Sequence, residues 1–355
     1  MKLFTVGPVQ MFPQTLEMAA QQTPYFRTEE FSKQVLEANV LLHELLVAPK
    51  GAKTVMLTAS GTAAMEAAII NLAKPNDNFL VIKGGAFGER FVQLCELHKV
   101  KHHAIELEFG EELTEEHLMP FQGKGFTGLL VNIHETDTGQ LYNAKMLSDF
   151  CKRNNLLFVI DAISSFLADK LDMAELGADA IIISSQKALA LDPGLSFVIL
   201  SERAYLERVQ GQSASVAYFD FDNHINNFAR GQTPYTPAVN VALSLNDMLK
   251  RISECGIDKK VSGTAEIAHD FRNKAASLAN VKIPDFPLSN ALTTLVFSKG
   301  NAKEVFERLC EKGLMLTPNG GKLADSVLRV GHIGNHTISE NDEVISALRE
   351  VLEGD

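Results

Sequence analysis

Two short apolar runs, Phe158-Val159-Ile160 and Ala180-Ile181-Ile182-Ile183, constrain the fold of this chain more than any other feature. Each is too short for a helix, is rich in Val and Ile, and has turn-type residues beyond it. Strands buried on both faces of a parallel sheet have this pattern. A loop and a short helical stretch lie between them. The first run ends at Asp161 and the second at Ser184-Ser185-Gln186-Lys187. Open α/β sheets bind ligands at the carboxyl ends of their strands. A carboxylate and an amine 187 − 161 = 26 residues apart are thereby expected to meet in one crevice.

That pair suits pyridoxal phosphate, which needs a lysine amine for a Schiff base and an acid facing its pyridine nitrogen. Taken alone, the same residues also fit a solvated surface lysine and an Asp that caps a helix. The chain has 355 residues, 46% hydrophobic and 22% charged, which allows two domains or one large one. A formal net charge of −11 argues against a nucleic-acid surface, which needs a basic stripe. The first residues, MKLFTVGPVQ, hold no apolar h-region, and no apolar run approaches the ~20 residues of a membrane span. Cys95, Cys151, Cys255 and Cys310 lie far apart and make neither a C-x-x-C nor a zinc spacing. No metal site and a reducing, cytoplasmic compartment are expected.

Along the chain, Met1–Pro13 reads as mostly irregular, with a turn at Val6-Gly7-Pro8. Helical spacing of Phe31, Val35, Leu41, Leu42, Leu45 and Leu46 follows, then a short strand at Thr54–Thr58. Ser60-Gly61-Thr62 opens the next helix. Its free amides and dipole would favour an anion, although a plain Ser/Thr N-cap has the same look. No Walker loop is present, so a phosphate here would belong to a cofactor rather than to ATP. A strand at Phe79–Ile82 turns through Lys83–Gly88 into a helix whose Phe87 could stack on a flat ring or fill the core. Leu129–Ile133 is a strand that ends in the polar cluster His134–Gly139. Strands alternating with helices predict right-handed βαβ units and a mostly parallel central sheet. Further strands are expected at Ser196–Leu200, Leu292–Phe297 and Val327–Val330, the last two within a smaller C-terminal α+β domain. The expected division is an N-terminal segment at 1–18, a large cofactor-binding domain at 19–250 and a small domain at 251–355.

In this order the motifs resemble the class V aminotransferases of fold type I, which use pyridoxal phosphate. The resemblance covers nearly the whole chain. It is greatest to the branch of alanine–glyoxylate and serine–pyruvate aminotransferases and 2-aminoethylphosphonate–pyruvate transaminase. It implies a role for each matching residue. Gly7, in Val6-Gly7-Pro8, lines the substrate pocket. Ser60, Gly61 and Thr62 form the phosphate loop, and Phe87 lies over the pyridine. Thr136, in His134-x-Thr136-x-Thr138-Gly139, contacts the ring. Asp161 faces the pyridine nitrogen with Ile163 under the ring. Gln186 helps hold the cofactor, and Lys187 is the Schiff-base lysine. Thr236, beside Tyr235, reaches the cofactor phosphate of the other subunit of a homodimer. Arg329 grips the substrate carboxylate. Two departures touch the substrate side: Phe87 replaces a Tyr or Trp, and Asp137 stands where relatives often carry Ser or Thr.

The implied reaction is ping-pong transfer of an amino group from alanine, serine or 2-aminoethylphosphonate to pyruvate or glyoxylate. A cysteine desulfurase or selenocysteine lyase of the same fold is the alternative. It needs a nucleophilic Cys on a loop shortly before the carboxylate-binding arginine. Leu316–Ser326 contains none, and Cys310 reads as helical. A nucleotide-binding oxidoreductase would want G-x-G-x-x-G, which Lys83–Gly88 does not supply.

Overall fold

The computed structural model describes residues 1–212, 214 and 216–353. Seven strands form the central sheet: β2 (Lys53–Leu57), β3 (Asn78–Lys83), β4 (Lys101–Glu106), β5 (Gly128–Asn132), β8 (Leu157–Asp161), β9 (Ala180–Ser184) and β10 (Ser196–Leu200). Two short strands, β6 (His134–Glu135) and β7 (Gln140–Leu141), make a hairpin beside it, and β1 (Lys2–Leu3) precedes it. The spatial order is β2-β10-β9-β8-β5-β3-β4. Neighbours from β9 to β4 are parallel, and β10 runs against both of its partners. The sheet is mostly parallel, as its apolar runs predict.

Period-two alternation divides the strand side chains between the two faces. Phe158 and Ile160 of β8 join one apolar cluster with Leu80 and Ile82 of β3. Leu157 and Val159 join the other with Phe79 and Val81. Helices cover both faces: α1 (Pro13–Ala19), α2 (Glu29–Leu45), α3 (Gly61–Leu72), α4 (Ala86–Leu97), α5 (Glu115–Leu118), α6 (Ala144–Asn154), α7 (Met173–Leu176), α8 (Glu202–Ala204), α9 (Phe221–Phe228) and α10 (Val239–Cys255). Thr28 caps α2 by accepting from Phe31 N–H at 3.2 Å, with Glu29 and Glu30 in the first turn where the dipole favours acids.

A second, antiparallel sheet follows, in the order β11 (Val281–Lys282), β12 (Leu292–Phe297), β15 (Val327–Gly331), β14 (Thr317–Pro318). It packs with α11 (Ile257–Ala275), α12 (Ala302–Glu311) and α13 (Ile338–Glu353) around its own core, which includes Phe271, Leu295 and Leu348. The division expected after residue 250 falls inside α10, because Leu245, Met248, Leu249 and Ile252 bury one continuous stripe against the large core. Gly256, at φ +89°, separates α10 from α11. The N-terminal segment is less irregular than its sequence suggests. Its strand β1 pairs in parallel with β13 (Leu314–Met315), so the start of the chain is tied to the smaller sheet.

Candidate active site

Asp161 closes β8, in register with Asn132 of β5 and Ile182 of β9. The chain turns at once, and Ile163 N–H donates to Asp161 Oδ1 at 2.8 Å. Three residues beyond the end of β9 stands Lys187, 9% exposed, whose Nζ donates to the Val6 carbonyl at 2.6 Å. The N-terminal segment therefore lies against the lysine. Gly7, at φ +129°, completes that contact: a Cβ there would stand 2.6 Å from Lys187 Cδ, so only glycine fits.

Burial sets the protonation of this pair. It pushes the Asp161 carboxyl up to about 7, overcoming the Ile163 hydrogen bond and the nearby charge of Lys187. It pushes the Lys187 amine down to about 8, against the attraction of Asp161 and with help from Arg329. Opposite charges would drive both groups the other way, so desolvation is the larger effect at each.

On one flank, Ser60 caps α3 by accepting from Ala63 N–H at 3.4 Å. Gly61 and Thr62 are the first two residues of this twelve-residue helix, where backbone amides and the dipole favour an anion. Gly61 packs on Ile163: an added Cβ would lie 2.4 Å from Ile163 Cδ1. Arg90 of α4 donates from Nη1 to Thr62 Oγ1 at 3.2 Å, and its guanidinium lies 5.9 Å from the centre of the Phe87 ring. Arg90 joins the loop to Phe87 and escaped sequence reasoning. Its place three residues after Phe87, on the same helix face, was the one available signal.

The polar cluster after β5 is the hairpin β6–β7 and its turn. Thr136 Oγ1 and Ser164 Oγ are 2.7 Å apart. Glu135, which the sequence reading left without a role, accepts from Phe87 N–H at 3.3 Å, Gly88 N–H at 3.0 Å and Asn132 Nδ2 at 2.8 Å. It thereby caps α4 and fixes Phe87. His134 is fully buried. Desolvation and the charges of Lys187, Arg272 and Arg329 push its ring down to about 3, so it is neutral.

Arg329 reaches the crevice from β15 of the smaller sheet. Nη1 donates to the Thr136 carbonyl at 2.9 Å and Nη2 to the Pro318 carbonyl at 2.8 Å. Among the described residues no carboxylate pairs with it. Other bonds clamp the same sheet to the hairpin: Thr294 Oγ1 donates to the Thr138 carbonyl at 2.7 Å, and Asn319 Nδ2 to the Asp137 carbonyl at 2.8 Å. Tyr235 and Thr236 stand apart. Tyr235 stacks on Tyr218, with ring centres 5.1 Å apart, and Thr236 is exposed.

Ser184 Oγ, Gln186 Oε1, both ring nitrogens of His134 and Arg329 Nε are buried without a protein partner. Such atoms cost stability unless something satisfies them. An amine, an acid with raised proton affinity, an anion-seeking helix start and these orphaned polar atoms together fit pyridoxal phosphate. Among the described residues no His, Cys, Asp or Glu cluster could hold a metal ion, and no helix is long and apolar enough to cross a membrane.

The family model of the class V aminotransferases matches residues 11–339. The chain is 25% identical to a 2-aminoethylphosphonate–pyruvate transaminase of Vibrio vulnificus, over 99% of this chain and 97% of that one. It is 27% identical to an alanine–glyoxylate aminotransferase of Oryctolagus cuniculus, over 86% and 80%. A solved structure of an aspartate aminotransferase from Thermus thermophilus superposes with a TM-score of 0.92 at 28% identity, covering 100% of this chain and 99% of that one.

Proposed function

The chain belongs to the class V aminotransferases, and within that family we propose that it moves an amino group from alanine, serine or 2-aminoethylphosphonate to pyruvate or glyoxylate. It is an enzyme of fold type I that uses pyridoxal phosphate. The observation that carries the reading is the pair Asp161–Lys187, buried on adjacent strand ends with their proton affinities pushed toward neutrality.

When bound, the cofactor supplies an aldehyde carbon that condenses with amines and a pyridine ring that takes up an electron pair. Lys187 would anchor it. The lowered proton affinity of Nζ would leave a neutral amine available to take the proton from the donor's α carbon. Asp161 would hold a proton at the ring nitrogen, within a floor that Ile163 shields from water. Ser60, Gly61, Thr62 and Arg90 would bind the phosphate, and Phe87, Thr136 and Gln186 would fix the ring. Arg329 uses two of its five N–H donors on backbone carbonyls, which leaves donors for a substrate carboxylate. Gly7 would shape the wall opposite.

We also read Tyr235 and Thr236 as belonging to the neighbour's site in a homodimer. Their exposure and the stiffness of the Pro234–Pro237 loop support this. A cytoplasmic location is part of the same reading, supported by four free thiols, and fractionation of cells that make the protein checks it. The desulfurase alternative lacks a nucleophile: Cys310 lies in α12, and burial raises its thiol away from the reactive thiolate.

A donor screen tests the proposal. Purified holoenzyme is mixed with each donor, and both the bound cofactor's visible absorbance and the released oxo acid are followed. At least one of the three donors should convert the cofactor fully and regenerate it with pyruvate or glyoxylate. Inertness toward all three would overturn the substrate assignment.

A further inference from the structure

A cleft of about 620 Å³ is bounded by the carboxyl ends of β3 and β4, the turn of the β6–β7 hairpin and the loop Gly320–Leu323; Arg329 does not line it, but holds the carbonyl of Thr136, the residue before the lining residue Asp137. Its wall carries four acidic residues, Glu89, Glu106, Glu108 and Asp137, against two lysines, Lys83 and Lys322. Lys83 is already engaged with Glu89 at 2.7 Å and Glu106 at 3.2 Å. Asp137 differs from the others in being locked next to the guanidinium. Its backbone N–H donates to Glu135 Oε1 at 3.2 Å, and its carbonyl accepts from Asn319 Nδ2. The residue before it, Thr136, gives its carbonyl to Arg329. Among the described residues no donor hydrogen-bonds the Asp137 carboxylate and no cation pairs with it. It nonetheless acts on Arg329 as the stronger of that residue's two acidic neighbours.

We propose that Asp137 is a specificity residue of this enzyme. Its carboxylate stands between this cleft and Arg329, so that donors with one carboxylate and a neutral or cationic side chain are accepted and donors with further negative charge are rejected. This rests on the reading of Arg329 as the carboxylate anchor. Within the three donors considered above it favours alanine and serine over 2-aminoethylphosphonate, whose phosphonate carries up to two negative charges. The physical basis is repulsion across a partly buried site. There, like charges a few ångströms apart are screened less than in bulk water, and rejecting the wrong ligand serves specificity as much as attracting the right one.

The test measures equilibrium binding to the holoenzyme by calorimetry, using amino acids that lack an α hydrogen and cannot complete the reaction. The probes are 2-aminoisobutyrate (neutral side chain), α-methylaspartate (anionic) and α-methylornithine (cationic). Wild type should bind α-methylaspartate about tenfold or more weakly than 2-aminoisobutyrate, and α-methylornithine at least as tightly. In Asp137→Asn that penalty should shrink to less than about threefold. Asp137→Ser carries the same expectation should the first variant fold poorly. Equal binding of the anionic and neutral probes in wild type, or a penalty unmoved in both variants, overturns the proposal. Arg329→Gln separates the two readings. Weaker binding of all three probes supports the carboxylate anchor. Unchanged binding of all three would overturn the anchor, while the wild-type and Asp137→Asn ratio still reads the role of Asp137.

Discussion

Asp161 and Lys187 stand on the ends of adjacent parallel strands, whereas Arg329 comes to the same crevice from a separate antiparallel sheet. The first pair is held by one core and desolvated together, and both side chains are shifted toward neutrality. The arginine keeps its place through the Thr136 carbonyl of the facing hairpin and the Pro318 carbonyl of β14 in its own sheet. On the proposed reading, the groups that hold or move protons are set at strand ends of the buried central sheet. On the same reading, the group that binds the substrate carboxylate sits where the smaller sheet meets the β6–β7 hairpin. Changes at the strand ends should therefore abolish chemistry, and changes at the junction should alter affinity.

The largest expected effect is at Lys187. Lys187→Ala should lower kcat by at least about 10⁴-fold, because in the proposed reaction one amine is both anchor and proton carrier. Steady-state turnover checks it, and a variant with ordinary kcat would erase the distinction drawn above. Next is Arg329→Gln, which should raise KM for the oxo acid by an amount worth about 2–5 kcal/mol while cofactor affinity changes little. Equal losses in kcat and in cofactor binding would place Arg329 with the strand-end pair instead.

The third effect is on stability without cofactor. Asp161 has its folded proton affinity raised from 3.8 to about 7, so the folded state binds a proton more tightly than the unfolded chain. Stability is then lost as pH rises from about 4 to about 7. Asp161→Asn removes that loss and should stabilise the cofactor-free protein progressively over the same window, by up to about 4 kcal/mol. Lys187 works in the other range: its amine is lowered to about 8, so the protein regains stability between there and 10.5. Thermal unfolding at several pH values reads both, and a gain in the Asn variant that is flat with pH would contradict the assigned cause.

The smallest expected signal comes from the exposed loop, as a partial return of activity in mixed dimers. Lys187→Ala and Thr236→Asp should each be inactive. Random mixing of the two in dimers should return about a quarter of wild-type activity, because half the dimers carry one intact site of two. Proven mixed dimers that stay inactive would return Thr236 to its own subunit or to no site.

The same contrast explains what the sequence revealed. Strands β8 and β9 were legible because burial on both faces leaves unbroken apolar runs, and their ends pointed to Asp161 and Lys187 without any resemblance. Edge strand β4 was missed, since Lys101–Glu106 exposes alternate polar residues and resembles a loop. The two-residue strands β6 and β7 lay hidden in a polar cluster. Glu135 and Arg90 were passed over because the contacts that tie them to the site, to Gly88 and to Thr62, span 47 and 28 residues of sequence. Arg329 was named only through family resemblance. In sequence it is a lone arginine in a strand; its partner Thr136 becomes visible only once the smaller sheet meets the β6–β7 hairpin, and Pro318 only once β14 pairs with β15.

The central claim is that Lys187, at the end of β9, is the amine that carries the cofactor. Borohydride reduction of the holoenzyme followed by peptide mapping tests it directly. The account predicts a single modified peptide, with the cofactor on Lys187. Attachment to another lysine, such as Lys83 or Lys322 of the neighbouring cleft, would contradict it.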